Sequence, residues 1–365
     1  MPPLDELRVT TLSVPTDAPE SDGTLAWDRT GVVLVEVDAG GTMGLGWTYA
    51  SAAAAAVVAD TLAGVLDGFE ADDVGAAWLA MRRAVRNDGD AGLTACAISA
   101  IDVALWDRLA RARGVPLAIA LGAFRDAVPV YGSGGFCSYD DGRLTEQLGG
   151  GAAAGMTMVK MKAGADPAVD PERVRVARAA IGPDVALFVD ANGAYAAREA
   201  VARAHELDRA AGGIRWLEEP VSSRDRSGLA FVRDHVPPAV AVAAGEYNSW
   251  PEDARELLGA GAVDVLQADA TRCGGLTGFR AVAALAAAHG VPLSAHCAPA
   301  LHAHAACAAE RLAHLEYFHD HVRLEQLVFD GVPEPRDGVL RLDRRRAGHG
   351  LTLRPDAHEQ FGADR

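Results

Sequence analysis

Between residues 158 and 316 the sequence repeats one pattern, a short apolar run that ends on a charged or polar side chain and leads into a helical stretch. Seven consecutive runs share this form, and they end at Lys162, Asp190, the Glu218–Glu219 pair, Glu246, Asp269, His296 and Glu316. A further run, at residues 128–131, precedes them. Eight strands that alternate with helices predict a parallel sheet that closes into a barrel. Because catalytic groups of such barrels lie at the carboxyl ends of the strands, these side chains are expected to share one site.

The residues before and after this series have a different character. We expect antiparallel strands at residues 7–14, 31–37 and 44–49, a polar loop at residues 16–28, and helices at residues 52–66, 74–86 and 94–113. The turn-rich tail is expected to return to this N-terminal part. The sequence thus predicts an α+β module at residues 1–127, completed by residues 325–365, and a barrel at residues 128–324.

The composition limits the possible partners and compartments. The formal net charge is −16, which disfavours binding to nucleic acid or to an anionic membrane. The sequence has no apolar run long enough to span a membrane, and its first residues lack the pattern of a signal peptide. The five cysteines are odd in number and have no CxxC spacing, so we expect free thiols in a reducing compartment. A cytoplasmic enzyme that acts on a small molecule is the expectation.

Three acids on successive strand ends, Asp190, Glu218 and Glu246, predict a metal site. Three converging carboxylates repel one another unless a cation lies between them, and oxygen ligands of this kind suit Mg²⁺. The alternative is that each acid caps the following helix or pairs with a nearby Lys or Arg. Of the adjacent Glu218 and Glu219, only one should face the metal, and we choose Glu218.

Lys160 and Lys162 are two residues apart on one strand, so both should face the interior of the barrel. Burial and nearby positive charge lower the pKa of a lysine, and a lysine of lowered pKa can act as a general base. The alternative is that both lysines form structural salt bridges to the carboxylates.

Asp269 and His296 end neighbouring strands, where the carboxylate would fix the tautomer of the imidazole and support its charged form. Glu316, at the end of the last strand, could donate a hydrogen bond to substrate if it is protonated. The other histidines nearby, among them His302 and His321, are expected to lie behind the site or on the surface. Bases on opposite faces of a substrate, Lys162 and His296, permit inversion at an α-carbon or removal of a β-leaving group.

As a set and in this order, these residues resemble the mandelate racemase group of the enolase superfamily. The resemblance rests on the Lys160-Met161-Lys162 motif, Asp190-Ala191-Asn192, Glu218-Glu219-Pro220, Gly245-Glu246, Gln267-Ala268-Asp269, His296 and Glu316. It implies a modified (β/α)7β TIM-type barrel with a capping domain built from N- and C-terminal segments. It also implies Mg²⁺ on the three acids, Lys160 as a partner of the substrate carboxylate, and Lys162 and the His296–Asp269 dyad as bases. Glu316 would be an electrophile on the carboxylate side.

The resemblance leaves the reaction open among racemases, acid-sugar dehydratases and cycloisomerases. It implies that specificity comes from two capping loops, here residues 15–28 and 47–51, whose polar side chains favour a polyhydroxy acid, although Trp27, Trp47 and Phe136 would suit an aromatic acid. Candidate substrate contacts are Trp47, Tyr49, Ser133 and Asn192.

We expect dehydration of a sugar acid to a 2-keto-3-deoxy acid. The alternatives are a racemase or epimerase of a 2-hydroxy acid and a cycloisomerase of a sugar-acid lactone or anhydro-sugar acid. The intact set of acids and bases argues against a non-catalytic binding protein, and an even-numbered homo-oligomer is expected.

Overall fold

The computed structural model describes residues 2–362, so Met1 and residues 363–365 of the predicted capping module lie outside the described residues. The N-terminal part begins with an antiparallel sheet of Glu6–Ser21 (β1), Ala26–Ala39 (β2) and Thr42–Tyr49 (β3). Its helices are Ala53–Val57 (α1), which continues through a π turn at Val58–Leu62 into Ala63–Val65 (α2), then Val74–Ala84 (α3), Leu93–Ala112 (α4) and Leu117–Ala120 (α5). Helix α4 can lie against β3 because Gly46 has no side chain. A Cβ at this position would come within 2.1 Å of the Ala100 carbonyl oxygen.

Eight parallel strands follow, paired in sequence order, and the last pairs with the first, so that the sheet closes. They are Ala127–Gly134 (β4), Met158–Lys162 (β5), Ala186–Asp190 (β6), Trp216–Glu218 (β7), Ala241–Ala244 (β8), Val265–Ala268 (β9), Leu293–Ala295 (β10) and Leu312–Phe318 (β11). The intervening helices are Asp141–Ala153 (α6), Asp170–Ile181 (α7), Ala197–Ala211 (α8), Arg226–His235 (α9), Pro251–Gly259 (α10), Gly275–Ala288 (α11), Pro299–Cys307 (α12) and, after the last strand, His319–Val328 (α13). The predicted barrel is confirmed.

Strand alternation divides the barrel into an outer core and an inner layer. Leu187 and Val189 pack outward in the main hydrophobic core, whereas Phe188, one position along, belongs to a separate interior cluster. In that cluster the ring centroids of Phe188 lie 5.1 Å from Trp216 and 5.3 Å from Tyr131. This aromatic layer fills the barrel beneath the strand ends and leaves the polar side chains above it, at one mouth.

The prediction of a loop at residues 16–28 is wrong. Strands β1 and β2 continue through most of it as a hairpin, with a register shift between Pro15 and Glu20. The turn is closed by Asp22, whose Oδ1 accepts hydrogen bonds from the backbone N–H groups of Thr24 (2.6 Å) and Leu25 (2.8 Å). Polar composition indicated a loop, but here the polar side chains satisfy the backbone of a tight turn.

The C-terminal segment contacts both parts of the chain. Its short strands are Phe329–Asp330 (β12), Val339–Arg341 (β13) and Thr352–Leu353 (β14), and a last helix spans Ala357–Phe361 (α14). Strand β13 extends the barrel sheet beside β4, while Gly362 forms a bridge with Leu12 of the N-terminal sheet. The division of the chain at residues 127 and 325 stays a prediction. Within residues 2–362 no helix is long and apolar enough to cross a bilayer.

Side chains of α4 attach the N-terminal part to the barrel. The Ser99 hydroxyl oxygen accepts hydrogen bonds from the N–H groups of Gly274 (3.0 Å) and Gly275 (2.9 Å), and Asp102 accepts one from the N–H of Thr277 (2.9 Å). These donors belong to the first turn of α11, which has no partner for them within the helix. These bonds fix the N-terminal part of the chain, called the cap below, beside the end of β9.

Candidate active site

Asp190, Glu218 and Glu246 come together at or just past the ends of β6, β7 and β8, and all three are buried. One carboxylate oxygen from each lies within 4.8 Å of the others. The N-cap positions of the helices that follow are Ala196, Asp225 and Trp250, so helix capping does not explain these acids. Burial and the charge of Asp190 raise the pKa of Glu218 well above its usual range, as like charges in a low dielectric do. A buried set of carboxylate oxygens that repel one another fits the Mg²⁺ ion implied by the resemblance.

Both lysines reach this cluster from β5. The Lys160 ammonium donates to Glu218 and lies 2.8 Å from Glu316 Oε1, and Lys162 Nζ lies 2.5 Å from Asp190 Oδ2. Burial alone would lower the pKa of Lys162, but the charges of Asp190 and its neighbours outweigh burial and raise it. The expectation that burial leaves a lysine of lowered pKa is therefore wrong for this arrangement of charges. The salt bridges of the alternative interpretation are present.

Asp269 and His296 form the expected dyad. His296 Nδ1 lies 2.9 Å from Asp269 Oδ2, which leaves Nε2 directed toward the acids, 3.2 Å from Glu246 Oε2. Burial would lower the pKa of His296, but the acidic groups around it, Cys297, Glu246 and Glu316 foremost, raise it well above the usual range. An imidazole held in this way can take up a proton and keep it.

Glu316 accepts hydrogen bonds through both of its carboxylate oxygens. Burial would raise its pKa, but Lys160 and His296 hold the pKa well below its usual range. Its Oε1 accepts a hydrogen bond from the Ser133 hydroxyl at 2.6 Å, and its Oε2 accepts one from the Cys297 N–H at 3.1 Å. Glu316 was expected to donate a hydrogen bond if it is protonated, but in these contacts it is an acceptor.

A cavity of about 350 Å³ lies over these groups, between the cap and the barrel mouth. The barrel contributes acids and bases to it, among them Lys162, Glu246, His296 and Glu316. The cap contributes the β1–β2 hairpin and the end of β3, through Asp22, Leu25, Trp27, Arg29, Thr30 and Tyr49. The two capping segments singled out in the sequence therefore do reach the cavity.

The structure separates the four candidate substrate contacts into two pairs. Asn192 and Tyr49 line the cavity, and the Tyr49 ring stacks on His321 with 3.6 Å between centroids. Ser133 lies behind the cavity on Glu316, and Trp47 is fully buried against Phe329, 4.8 Å between ring centroids. Trp47 is held by the C-terminal segment, and neither Trp47 nor Ser133 lines the cavity.

Arg272, Cys297 and His321 are among the cavity residues that the sequence analysis missed or set aside. Arg272 and Cys297 line the cavity three residues after Asp269 and one after His296, so the strand-end rule would have found them if extended by a few positions. His321 was expected behind the site or on the surface but also lines the cavity. Burial lowers its pKa to about 3, and its neutral Nδ1 accepts the N–H of Ala298 at 3.2 Å. No local sequence signal indicated this position.

The hairpin depends on a close approach at Gly23. A Cβ there would lie 2.5 Å from the Ala191 carbonyl oxygen and 2.7 Å from that of Ala163, both at the barrel mouth. We expect Gly23→Ala to push the hairpin off the cavity and to lower kcat/KM by about 100-fold, the scale of a 1 Å misplacement. Steady-state kinetics measures this. Gly64→Ala is the control, because no atom lies within 4 Å of a Cβ at that helical position; an equal loss there would contradict the account.

Comparisons with protein families cover both parts of the chain. A family model described as the mandelate racemase / muconate lactonizing enzyme N-terminal domain matches residues 6–122. A second, described as enolase C-terminal domain-like, matches residues 143–357, which is more than half of the chain. The two matches fall on the antiparallel cap and on the barrel.

Individual relatives extend over most of the chain. D-galactarolactone cycloisomerase of Agrobacterium fabrum is 35% identical over 291 residues, covering 77% of this chain and 74% of that protein. A crystal structure of a mandelate racemase/muconate lactonizing enzyme-like protein from Rubrobacter xylanophilus is 53% identical, with a TM-score of 0.96 over 99% of this chain and 100% of that one. L-talarate/galactarate dehydratase from Salmonella typhimurium LT2, solved with Mg and L-lyxarohydroxamate, is 27% identical, with a TM-score of 0.89 over 99% and 93% of the two chains.

Proposed function

The chain belongs to the mandelate racemase / muconate lactonizing enzyme family of the enolase superfamily, and from this premise we propose that it removes the proton α to a carboxylate of a sugar acid. It is an enzyme, a lyase or an isomerase. The observation that carries the proposal is the position of two bases, Lys162 and His296, which both line one cavity beside three buried acids. A binding protein would have no use for a base from each of two separated strands.

Asp190, Glu218 and Glu246 would hold Mg²⁺, since they are the carboxylates that cluster at the strand ends. Bound there, the ion supplies charge that polarises a substrate carboxylate and makes its α-proton more acidic. Lys160, fully buried beside Glu218 and Glu316, adds a fixed positive charge on the same side.

The bases divide the proton transfers between them. Lys162, freed from Asp190, takes the α-proton from one side of the substrate, and the electrons of the broken C–H bond move into the carboxylate. His296, from β10, gives a proton to the departing β-hydroxyl, which leaves as water. Asp269 keeps Nδ1 of His296 protonated and Nε2 directed at the substrate. The enol product becomes a 2-keto-3-deoxy acid.

A cycloisomerase is the second candidate, favoured by the 35% identity to D-galactarolactone cycloisomerase. The same two bases would take the α-proton and protonate a ring oxygen as a lactone or anhydro-sugar ring opens. Racemisation or epimerisation would need only the transfer of protons to and from the α-carbon.

Arg272 supports a polar acid as substrate. Within residues 2–362, no oxygen accepts a hydrogen bond from its guanidinium, which lies 3.8 Å from Asp269 Oδ2 and 5.4 Å from the centroid of the Tyr247 ring. A cation with free donors in a cavity suits a substrate that carries several oxygens or a second carboxylate.

We therefore expect Arg272→Gln to raise KM by about 10- to 100-fold and to change kcat much less, since a hydrogen bond to a charged group contributes about 1.5–3 kcal/mol. Initial rates over a range of substrate concentration separate the two constants. Arg280→Gln is the matched control, because Arg280 is exposed on α11 and outside the cavity. If kcat fell as much as kcat/KM while KM held, Arg272 would act through Asp269 instead.

The proposed function is tested with a library of sugar mono- and diacids and their lactones, incubated with Mg²⁺ and the full chain. Formation of 2-keto acid, measured as its semicarbazone, identifies dehydration or cycloisomerisation, and the starting compound separates the two. α-Proton exchange without 2-keto acid identifies a racemase or epimerase. If no compound reacts and none exchanges its α-proton, the sugar-acid proposal fails.

A further inference from the structure

Three side chains of different chemistry meet on one wall of the cavity. His296 Nε2 lies 3.3 Å from Cys297 Sγ, Cys297 Sγ lies 3.4 Å from Glu316 Oε2, and Glu316 Oε2 lies 3.6 Å from His296 Nε2. One nitrogen, one sulfur and one oxygen thus form a nearly equilateral triangle. It is distinct from the cluster of Asp190, Glu218 and Glu246, whose donors are all oxygens.

The size of the triangle matches a tetrahedral zinc site. Zinc binds sulfur at about 2.3 Å and nitrogen or oxygen at about 2.0–2.2 Å, so one face of its tetrahedron has edges of about 3.3–3.6 Å. The observed edges of 3.3, 3.4 and 3.6 Å fall in this range without movement of any side chain.

The three donor atoms face the triangle, although His296 Nε2 also lies 3.2 Å from Glu246 Oε2. Asp269 binds His296 Nδ1 and so leaves Nε2 as the ligand atom, the arrangement by which a carboxylate supports a zinc-binding histidine. Glu316 uses Oε1 for Lys160 and Ser133, while its Oε2 accepts the Cys297 N–H at 3.1 Å and has a second lone pair for the ion. All three ligand residues line the cavity, which gives an ion a path of entry and a fourth position open to water.

We propose that His296, Cys297 and Glu316 form a second cation site, selective for Zn²⁺ over Mg²⁺, whose occupation inhibits the enzyme. Thiolate and imidazole ligands favour Zn²⁺, whereas Mg²⁺ prefers oxygen. On binding, the S–H bond of Cys297 breaks, a Zn–S bond forms, and the proton passes to the buffer. Inhibition follows because the ion occupies Nε2 of His296 and the space in front of it.

The first test uses Co²⁺ alone as a spectroscopic probe on the full chain, with Mg²⁺ in excess and no substrate. Coordination by Cys297 produces a thiolate-to-cobalt charge-transfer band in the near ultraviolet. The band is expected in the wild type and is expected to vanish in Cys297→Ser. Cys137→Ser is the control and should keep the band, because Cys137 is a half-buried free thiol outside the triangle. Absence of the band in the wild type, or its persistence in Cys297→Ser, would overturn the proposal.

The second test measures Zn²⁺ affinity by equilibrium dialysis in the same buffer. Cys297→Ser should weaken binding by at least about 100-fold, whereas Cys137→Ser should leave it unchanged. Zn²⁺ that bound the oxygen cluster instead would bind Cys297→Ser as tightly as the wild type, which would refute the site. Because neither test uses substrate, both test the site independently of the proposed reaction, whereas the inhibition rests on the proposed role of His296.

Discussion

Replacing Lys162 by alanine should lower kcat by about 10²–10⁴-fold, the usual contribution of a general base. Lys162→Arg should be as inactive as Lys162→Ala, because a guanidinium keeps the ion pair with Asp190 but is not deprotonated in proteins. Steady-state kinetics on the substrate found in the library measures both variants.

The pair of variants separates catalysis from structure. Lys160 and Lys162 are the only lysines in the sequence, and all the other residues of the Lys and Arg total are arginines. The chain therefore uses lysine only at the active site, where Lys162 has to release a proton and an arginine could not. If Lys162→Arg retained most of the wild-type kcat, the side chain would serve as a fixed charge and the assignment of the base would be wrong.

Glu218→Gln should abolish Mg²⁺-dependent activity, with a loss of about a thousand-fold or more, since a catalytic metal contributes several kcal/mol to the transition state. Glu219→Gln should retain Mg²⁺ binding and activity within several-fold. Glu219 is outside the cluster of three acids; its Oε1 accepts the N–H of Gly245 at 3.3 Å, and the amide oxygen of glutamine can accept the same bond. Isothermal titration calorimetry measures the Mg²⁺ affinity of both variants, and steady-state kinetics measures their activity.

These two substitutions remove the same charge from neighbouring residues, so they form a matched pair. The opposite result, loss of Mg²⁺ in Glu219→Gln and not in Glu218→Gln, would exchange the roles of the two acids. Equal losses would mean that charge at this point, rather than a ligand atom, governs the site. Circular dichroism on both variants shows whether the barrel still folds, since Glu218→Gln removes the charge that pairs with Lys160.

Much of the barrel and the positions of its acids and bases could be predicted because strand ends have a strong local signal. An apolar run that ends in Asp190 or His296 places that side chain at the mouth, whatever the rest of the chain does. The two-residue period of a strand likewise placed Lys160 and Lys162 on one interior face.

What failed depended on partners far away in sequence. Trp47 packs on Phe329 and His349, which come nearly 300 residues later, so nothing near it in sequence indicated that it would be buried away from the cavity. The direction of the Lys162 pKa followed from Asp190 and its neighbours, since a single side chain gives the effect of burial but not the charges around it. The hairpin at residues 16–28 was missed because polar side chains mark both loops and tight turns.

The most direct test of the central claim is α-proton exchange, followed by ¹H NMR in D₂O with Mg²⁺ and the sugar-acid library. The wild type should exchange the α-proton of at least one acid, Lys162→Ala and His296→Asn should each exchange it more slowly, and the double variant should not exchange it. Exchange that continued in the double variant would show that neither side chain is the base, and the mechanism built on Lys162 and His296 would be wrong.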